Sequence, residues 1–246
     1  NTKGPWFCYV HLMDVHDSRQ LNRPFNFLYK LLFHGNACWR GRKSGKPSVP
    51  FSADLALSYI DHEVGKLVRD LNHQGKLDET IVVLTADHGN GWDSERDASL
   101  AEDFGFRTHY EHTSVPLLIY HPDYRRGRNR LMPGKGLFDS MSVSATVLDL
   151  LNIEQDSVFK GSSILGSGKP AIISENAGRG NCDIKDRDLY FTITSTSHKL
   201  FVVLKSDILT PKRLYDLEKD PRELNNIISE PNADNYVSEL IKELFS

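Results

Sequence analysis

The hydrophobic pattern in the first part of the chain alternates between strand-like and helix-like segments. Residues 5–13 form an almost continuous apolar run, and residues 80–85 and 115–120 repeat that character. Short apolar runs rich in β-branched residues are typical of strands buried on both faces of a parallel sheet. These three segments therefore predict three core strands.

Two segments show helical spacing instead. From Ser52, apolar residues recur at intervals of three and four, and Gly75 predicts the end of that helix. A second helix is predicted to begin near Ser140 or Ser142. Strands that alternate with helices predict an α/β domain with a mostly parallel, doubly wound sheet, here over residues 1–168.

The pattern changes in the last third of the chain. Residues 188–194 and 199–204 predict two strands joined by a polar hairpin, and residues 213–217 predict a third. Apolar positions in residues 232–245 follow helical spacing and predict an amphipathic terminal helix. We therefore expect residues 169–246 to form a small antiparallel sheet with one helix.

Composition adds few constraints. The chain has 246 residues, 39% of them hydrophobic, and a net charge of −3, which gives no general attraction to nucleic acid. No apolar run approaches the length of a membrane span, and the N-terminus carries no signal-peptide pattern. Cys8 lies in an apolar run and is predicted to be a buried thiol, and a disulfide between Cys38 and Cys182 is possible but cannot be inferred.

The run Asp87-His88-Gly89 follows the predicted strand at residues 80–85 and precedes a long polar loop. In open α/β sheets ligands bind beyond the carboxyl ends of strands, and a carboxylate beside an imidazole can share one cation. An isolated motif of this kind is more often structural, with Asp87 as a cap and His88 packed. The strand and the loop around it favour a cation site here.

Two further groups could act on an anionic ester. His16 follows the first predicted strand, where it either ends the strand or binds an anion. Arg107, His109 and His112 precede the strand at residues 115–120, and a cation or a histidine there could assist a leaving oxygen. At least one of these three is expected to be structural. No nucleophile motif such as Gly-x-Ser-x-Gly is present.

Four stretches of the chain together span nearly its whole length: PWFCYVHLMDVH at residues 5–16, IVVLTADHG at 81–89, YEHTSVPLLI at 110–119 and LYDLEKDPRELNN at 214–226. In this order they resemble the sulfatase family of the alkaline phosphatase superfamily. Residues 144–151 also fit a helix of that family.

The resemblance implies roles for the candidate residues. Asp87 and His88 would be two ligands of a divalent cation, most commonly Ca²⁺, with Mg²⁺ or Mn²⁺ as alternatives. His16 would contact the sulfate group. His112 is a further candidate for binding the substrate. The family usually places a lysine near the leaving group, whereas this sequence has Arg107 in that region, and His109 is taken as its substitute.

The resemblance also implies that residues outside this sequence complete the site. In the family the nucleophile is a formylglycine in the first half of the protein, together with two more acidic cation ligands. The chain is therefore expected to be a carboxyl-terminal portion that is inactive without the remainder of its catalytic domain. The implied substrate is a small sulfated sugar or aryl sulfate, and the implied location is extracytoplasmic, that is periplasmic, secreted or lysosomal.

Two other functions are compatible with these residues. Phosphodiesterases, phosphonate hydrolases and phosphoethanolamine transferases of the same superfamily also use Asp-His-Gly. A non-catalytic module that keeps the fold to bind a glycan is the third hypothesis.

Overall fold

The computed structural model describes residues 4–16, 51–90, 108–125, 132–176 and 188–245. The chain divides into two compact units. The first comprises residues 1–81 with 92–95, and the second comprises residues 82–91 with 96–246.

The first unit contains the long predicted helix, α1, over Phe51–His73. Its end is a Schellman turn, in which Lys76 N donates to Leu71 O at 2.9 Å and Gly75 takes a left-handed φ of +67°. A 3₁₀ turn follows at Leu77–Glu79. Among the described residues no helix is long and apolar enough to cross a bilayer.

The first predicted strand does not form in the described part of the first unit. Residues 5–13 have no regular secondary structure. Phe7 is 85% exposed and Cys8 is exposed as well, so the predicted buried thiol is wrong. An apolar run becomes a strand only where a neighbouring backbone supplies ladder hydrogen bonds, and the pattern alone does not reveal that neighbour.

In the second unit, β1 spans Val82–Thr85 and β2 spans Leu117–Tyr120. Both were predicted as strands, but they pair antiparallel, with Val82 opposite Tyr120. Their side chains are half-buried or exposed rather than buried on both faces, since the described ladder has two strands. The mostly parallel doubly wound sheet is not found among the described strands and stays a prediction.

Among the described residues between β1 and the last third of the chain, α2 spans Tyr110–Thr113, α3 spans Pro122–Arg125 and the predicted α4 spans Ser142–Leu150. The buried Thr146 hydroxyl fastens α4 to the chain that follows it. Its Oγ1 donates to Ser142 O at 2.6 Å and accepts from Ile164 N at 3.0 Å.

A four-stranded antiparallel sheet occupies the last third of the chain, in the order β3-β4-β5-β6. The strands are Ala171–Asn176, Leu189–Ser195, His198–Lys205 and Ile208–Asp216, and helix α5 spans Ala233–Lys242. The predicted hairpin and terminal helix are confirmed, whereas β3 was not predicted and β6 begins earlier than expected. The domain boundary at residue 168 stays a prediction.

Alternation along β5 gives this sheet two apolar faces. Leu200 and Val202 pack with Leu240 of α5 on one face. Phe201 and Val203 pack with Tyr215 on the other. The second face matters for the candidate site, because the segment that opens α2 packs against it.

Candidate functional site

Asp87 and His88 form a compact pair in the turn after β1. The carboxylate Oδ1 of Asp87 accepts a hydrogen bond from the backbone N–H of His88 at 2.8 Å. His88 Nδ1 lies 2.7 Å from Gly89 O, and since a carbonyl oxygen only accepts, Nδ1 is the protonated nitrogen. His88 Nε2 then faces Asp87 Oδ2 at 3.6 Å. Both side chains are exposed, His88 to 62% and Asp87 to 71%.

This arrangement fits two positions of a cation site. A neutral His88 with its proton on Nδ1 presents the Nε2 lone pair, and a backbone acceptor on the other nitrogen is the usual way in which a ligand histidine is oriented. A nitrogen and an oxygen 3.6 Å apart can both reach one cation at bond lengths of roughly 2.0–2.4 Å. Within the described ranges no group of three or more His, Cys, Asp or Glu side chains could hold a metal.

Gly89 joins this pair to α2 by direct backbone contact. Its N–H donates to His112 O at 2.8 Å. A Cβ at this position would lie 1.9 Å from Glu111 O, so no other residue fits without a shift of the backbone. The structure therefore explains the glycine at this position by its close packing against α2.

Immediately before α2, His109 enters a buried ion cluster. Its Nδ1 donates to Glu223 Oε2 at 2.7 Å, and Lys199 Nζ donates to Glu223 Oε1 at 2.9 Å. The backbone N–H of Tyr110, the first residue of α2, also donates to Oε1 at 3.1 Å. His109 is 1% exposed, Lys199 2% and Glu223 3%.

The charge state of Glu223 follows from these contacts. Burial by itself would raise the pKa of Glu223, but hydrogen bonds from His109 and Lys199 and the positive charge of Lys199 outweigh it. The pKa is held below its ordinary value, so the carboxylate is ionised at neutral pH. The cluster is a charged clamp between α2 and the four-stranded sheet.

Aromatic packing and a hydroxyl contact extend the clamp. The His109 ring lies 4.5 Å from the Phe201 ring and 5.8 Å from the Tyr215 ring, measured between centroids. The buried hydroxyls of Thr108 and Thr192 hydrogen-bond to each other. The start of α2 is therefore fixed to the sheet face opposite α5.

The structure places the other predicted site residues as follows. His16 belongs to the first unit and is exposed in the turn at residues 14–16. His112 lies in α2 and is half-buried, and Arg107 lies outside the described residues. No contact of these residues tests their predicted roles, so sulfate binding by His16, substrate binding by His112 and leaving-group assistance by Arg107 or His109 stay predictions.

Two residues of the clamp were missed from the sequence. Lys199 lies on the same face of β5 as the buried Phe201 and Val203. A lysine at a buried position of a strand indicates that it has a buried partner. Glu223 lies in the LYDLEKDPRELNN stretch, but its backbone φ of +54° could not be inferred.

Comparison with known proteins places the chain in a family. The profile of the Sulfatase family matches residues 1–153. An arylsulfatase of Clostridium perfringens is 27% identical over 209 residues, covering 77% of this chain and 38% of that protein. An N-acetylglucosamine-6-O-sulfatase of Bacteroides thetaiotaomicron is 26% identical over 205 residues, covering 75% and 33%. The chain thus spans about a third of the length of these relatives.

Structural comparison agrees with the sequence match. A protein solved in complex with its substrate D-glucosamine-2-N,6-O-disulfate superposes with a TM-score of 0.57 at 22% identity. That match covers 78% of this chain and 39% of the other, and it shows a shared fold. The chain belongs to the sulfatase family, within the alkaline phosphatase superfamily.

Proposed function

We propose that the full-length protein carrying this sequence hydrolyses sulfate esters or sulfamates, with Asp87 and His88 as two ligands of a divalent cation. The observation that carries this proposal is the geometry of the pair. Its oxygen and nitrogen donors lie 3.6 Å apart, are exposed, and have the histidine tautomer set by Gly89 O. Membership of the sulfatase family supports the reaction class.

Ca²⁺ is the first candidate cation because of the family resemblance. A carboxylate suits Ca²⁺ and Mg²⁺, whereas an imidazole ligand also suits Mn²⁺, so the alternatives remain part of the proposal. When bound, the cation would supply positive charge to the oxygens of the sulfate group. Asp87 contributes an anionic oxygen to that site, and His88 contributes a neutral nitrogen.

Arg107, His112 and His109 are the candidates for leaving-group assistance in this proposal. His109 packs on Phe201 and donates to Glu223 while 1% exposed. A general acid must come within hydrogen-bond reach of the oxygen that it protonates. His109 would have to leave its clamp to act, so we rank it after Arg107 and His112.

The remaining features of the proposal rest on the resemblance. We propose a formylglycine nucleophile outside this sequence and His16 as a sulfate contact. The substrate is a small sulfated sugar or aryl sulfate, in keeping with the names of the two curated relatives. An extracytoplasmic location completes the proposal.

The test is a kinetic comparison of the full-length protein with two Asp→Asn variants. Hydrolysis of 4-nitrophenyl sulfate and release of sulfate from N-acetylglucosamine 6-sulfate are measured for wild type, Asp87→Asn and Asp149→Asn. Asp87→Asn should lower kcat/KM by at least about 100-fold, since loss of a charged group that stabilises the transition state costs on that order. Asp149 is an exposed acid on α4, and its variant should retain wild-type activity.

The alternatives give different results in the same assay. Preference for bis(4-nitrophenyl) phosphate over both sulfates would indicate a phosphodiesterase of the superfamily. Absence of turnover with every substrate, together with retained glycan binding, would indicate a non-catalytic module. Equal activity of Asp87→Asn and wild type would contradict the cation site.

A further inference from the structure

A continuous series of contacts connects Glu223, in the last part of the chain, with the turn that carries Asp87 and His88. Glu223 binds the start of α2 through His109 Nδ1 and Tyr110 N. The last turn of α2 then receives the backbone of Gly89 through the bond from Gly89 N to His112 O. Gly89 is the residue whose carbonyl orients His88.

From these contacts we propose that Glu223 is a positioning residue for the cation site. It does not touch the cation or the substrate; it fixes α2, and α2 fixes the turn that carries Asp87 and His88. This inference rests on the proposed function, because it assumes that the pair binds a cation.

The backbone of Glu223 supports this assignment. Its φ of +54° lies in the left-handed region, which costs a residue other than glycine roughly 1 kcal/mol or more. A glycine or asparagine would adopt this conformation more easily, but neither could place a carboxylate between three donors. Both oxygens are used: Oε1 accepts from Lys199 and from Tyr110 N, and Oε2 accepts from His109.

The backbone contact at Gly89 couples the position of α2 closely to that of the turn that carries Asp87 and His88. A Cβ at Gly89 would meet Glu111 O at 1.9 Å and Glu111 C at 2.8 Å, so the two backbones are packed together. A shift of α2 by a fraction of an ångström must therefore move the turn. Cation sites depend on ligand placement within about 0.5 Å, so loosening α2 should weaken cation binding.

The experiment measures Ca²⁺ binding by the full-length protein with isothermal titration calorimetry. Glu223→Gln keeps the size of the side chain and removes the charge, and it should weaken Ca²⁺ binding at least ten-fold. Leu240→Ala is the matched control, because it destabilises the opposite face of the same sheet, away from α2. It should change the Kd by less than two-fold.

A second variant covers the case in which Glu223→Gln does not fold. Glu223→Asp keeps the charge, suits a left-handed backbone better, and shortens the side chain by one methylene, so a smaller loss of Ca²⁺ affinity is expected. Wild-type affinity in a folded Glu223→Gln or Glu223→Asp variant, or an equal loss in Leu240→Ala, would overturn the inference. Failure of the wild-type protein itself to bind Ca²⁺ would instead count against the proposed function.

Discussion

The buried clamp of Glu223, Lys199 and His109 should contribute strongly to stability, and removing one member should show it. Glu223→Gln leaves the Lys199 ammonium 2% exposed and opposite an amide in place of a carboxylate. Breaking a buried ion pair from one side costs about 3–5 kcal/mol. We expect that loss in the free energy of unfolding at neutral pH.

A double-mutant cycle separates pairing from burial. Lys199→Met should cost less than Glu223→Gln, about 1–3 kcal/mol, since Glu223 keeps its bonds from His109 and Tyr110 N. The double variant should be more stable than the sum of the single losses by about 1–3 kcal/mol, because it leaves no unpaired buried charge. Equilibrium urea unfolding of the full-length protein, followed by fluorescence, measures these values.

The pH dependence has a definite sign. The folded-state pKa of Glu223 lies below its ordinary value of 4.5, so its stabilisation is full above that pH and is lost as the pH falls through the folded pKa. The difference in the free energy of unfolding between wild type and Glu223→Gln should therefore be constant at neutral pH and become smaller only below about pH 4.5.

Glu175→Gln serves as the control, because Glu175 is an exposed carboxylate of the same sheet. It should change stability by less than about 0.5 kcal/mol. A Glu223→Gln variant as stable as Glu175→Gln, or strictly additive losses in the cycle, would show that the clamp does not stabilise the fold.

Three further predictions use other contacts. Gly89→Ala should destabilise the protein by about 2–4 kcal/mol in urea unfolding, since the added methyl overlaps the backbone of α2. By contrast, Gly166→Ala meets only ordinary van der Waals contact and should cost less than about 0.5 kcal/mol. Thr146→Val should cost about 1–3 kcal/mol, because a buried backbone N–H loses its acceptor; no change in the urea midpoint would contradict this. Lys219→Ala should raise the pKa of Asp216 toward 3.8, since the hydrogen bond from Lys219 lowers it; an NMR titration that finds no rise would reject this.

Local patterns anticipated most elements of the fold. Helical spacing predicted α1 and α4, and the apolar run at residues 199–204 predicted β5. These patterns depend on residues that lie close together in the sequence. The pattern failed at residues 5–13, where strand character depends on a partner strand. It also missed β3, Ala171–Asn176, whose mixed polarity gives no clear period and whose existence depends on pairing with β4.

In the candidate site, too, residues that are adjacent in the sequence were predicted and residues that are distant in the sequence were not. Asp87 and His88 were found because they adjoin each other and follow a recognisable strand. The clamp was not found, because its members His109 and Glu223 are 114 residues apart and meet only through the folded sheet. The separation of residues in the sequence, rather than their chemical type, limited what could be predicted of the site.

Sulfate release measured with and without Ca²⁺ shows whether the protein is a sulfatase whose cation is held in part by Asp87 and His88. The full-length protein is incubated with N-acetylglucosamine 6-sulfate and 4-nitrophenyl sulfate, and inorganic sulfate is quantified by ion chromatography. We predict that release stops when Ca²⁺ is chelated, resumes when Ca²⁺ is restored, and is not restored in Asp87→Asn. Sulfate release that is unaffected by chelation, or undiminished in Asp87→Asn, would contradict a catalytic cation bound by Asp87 and His88.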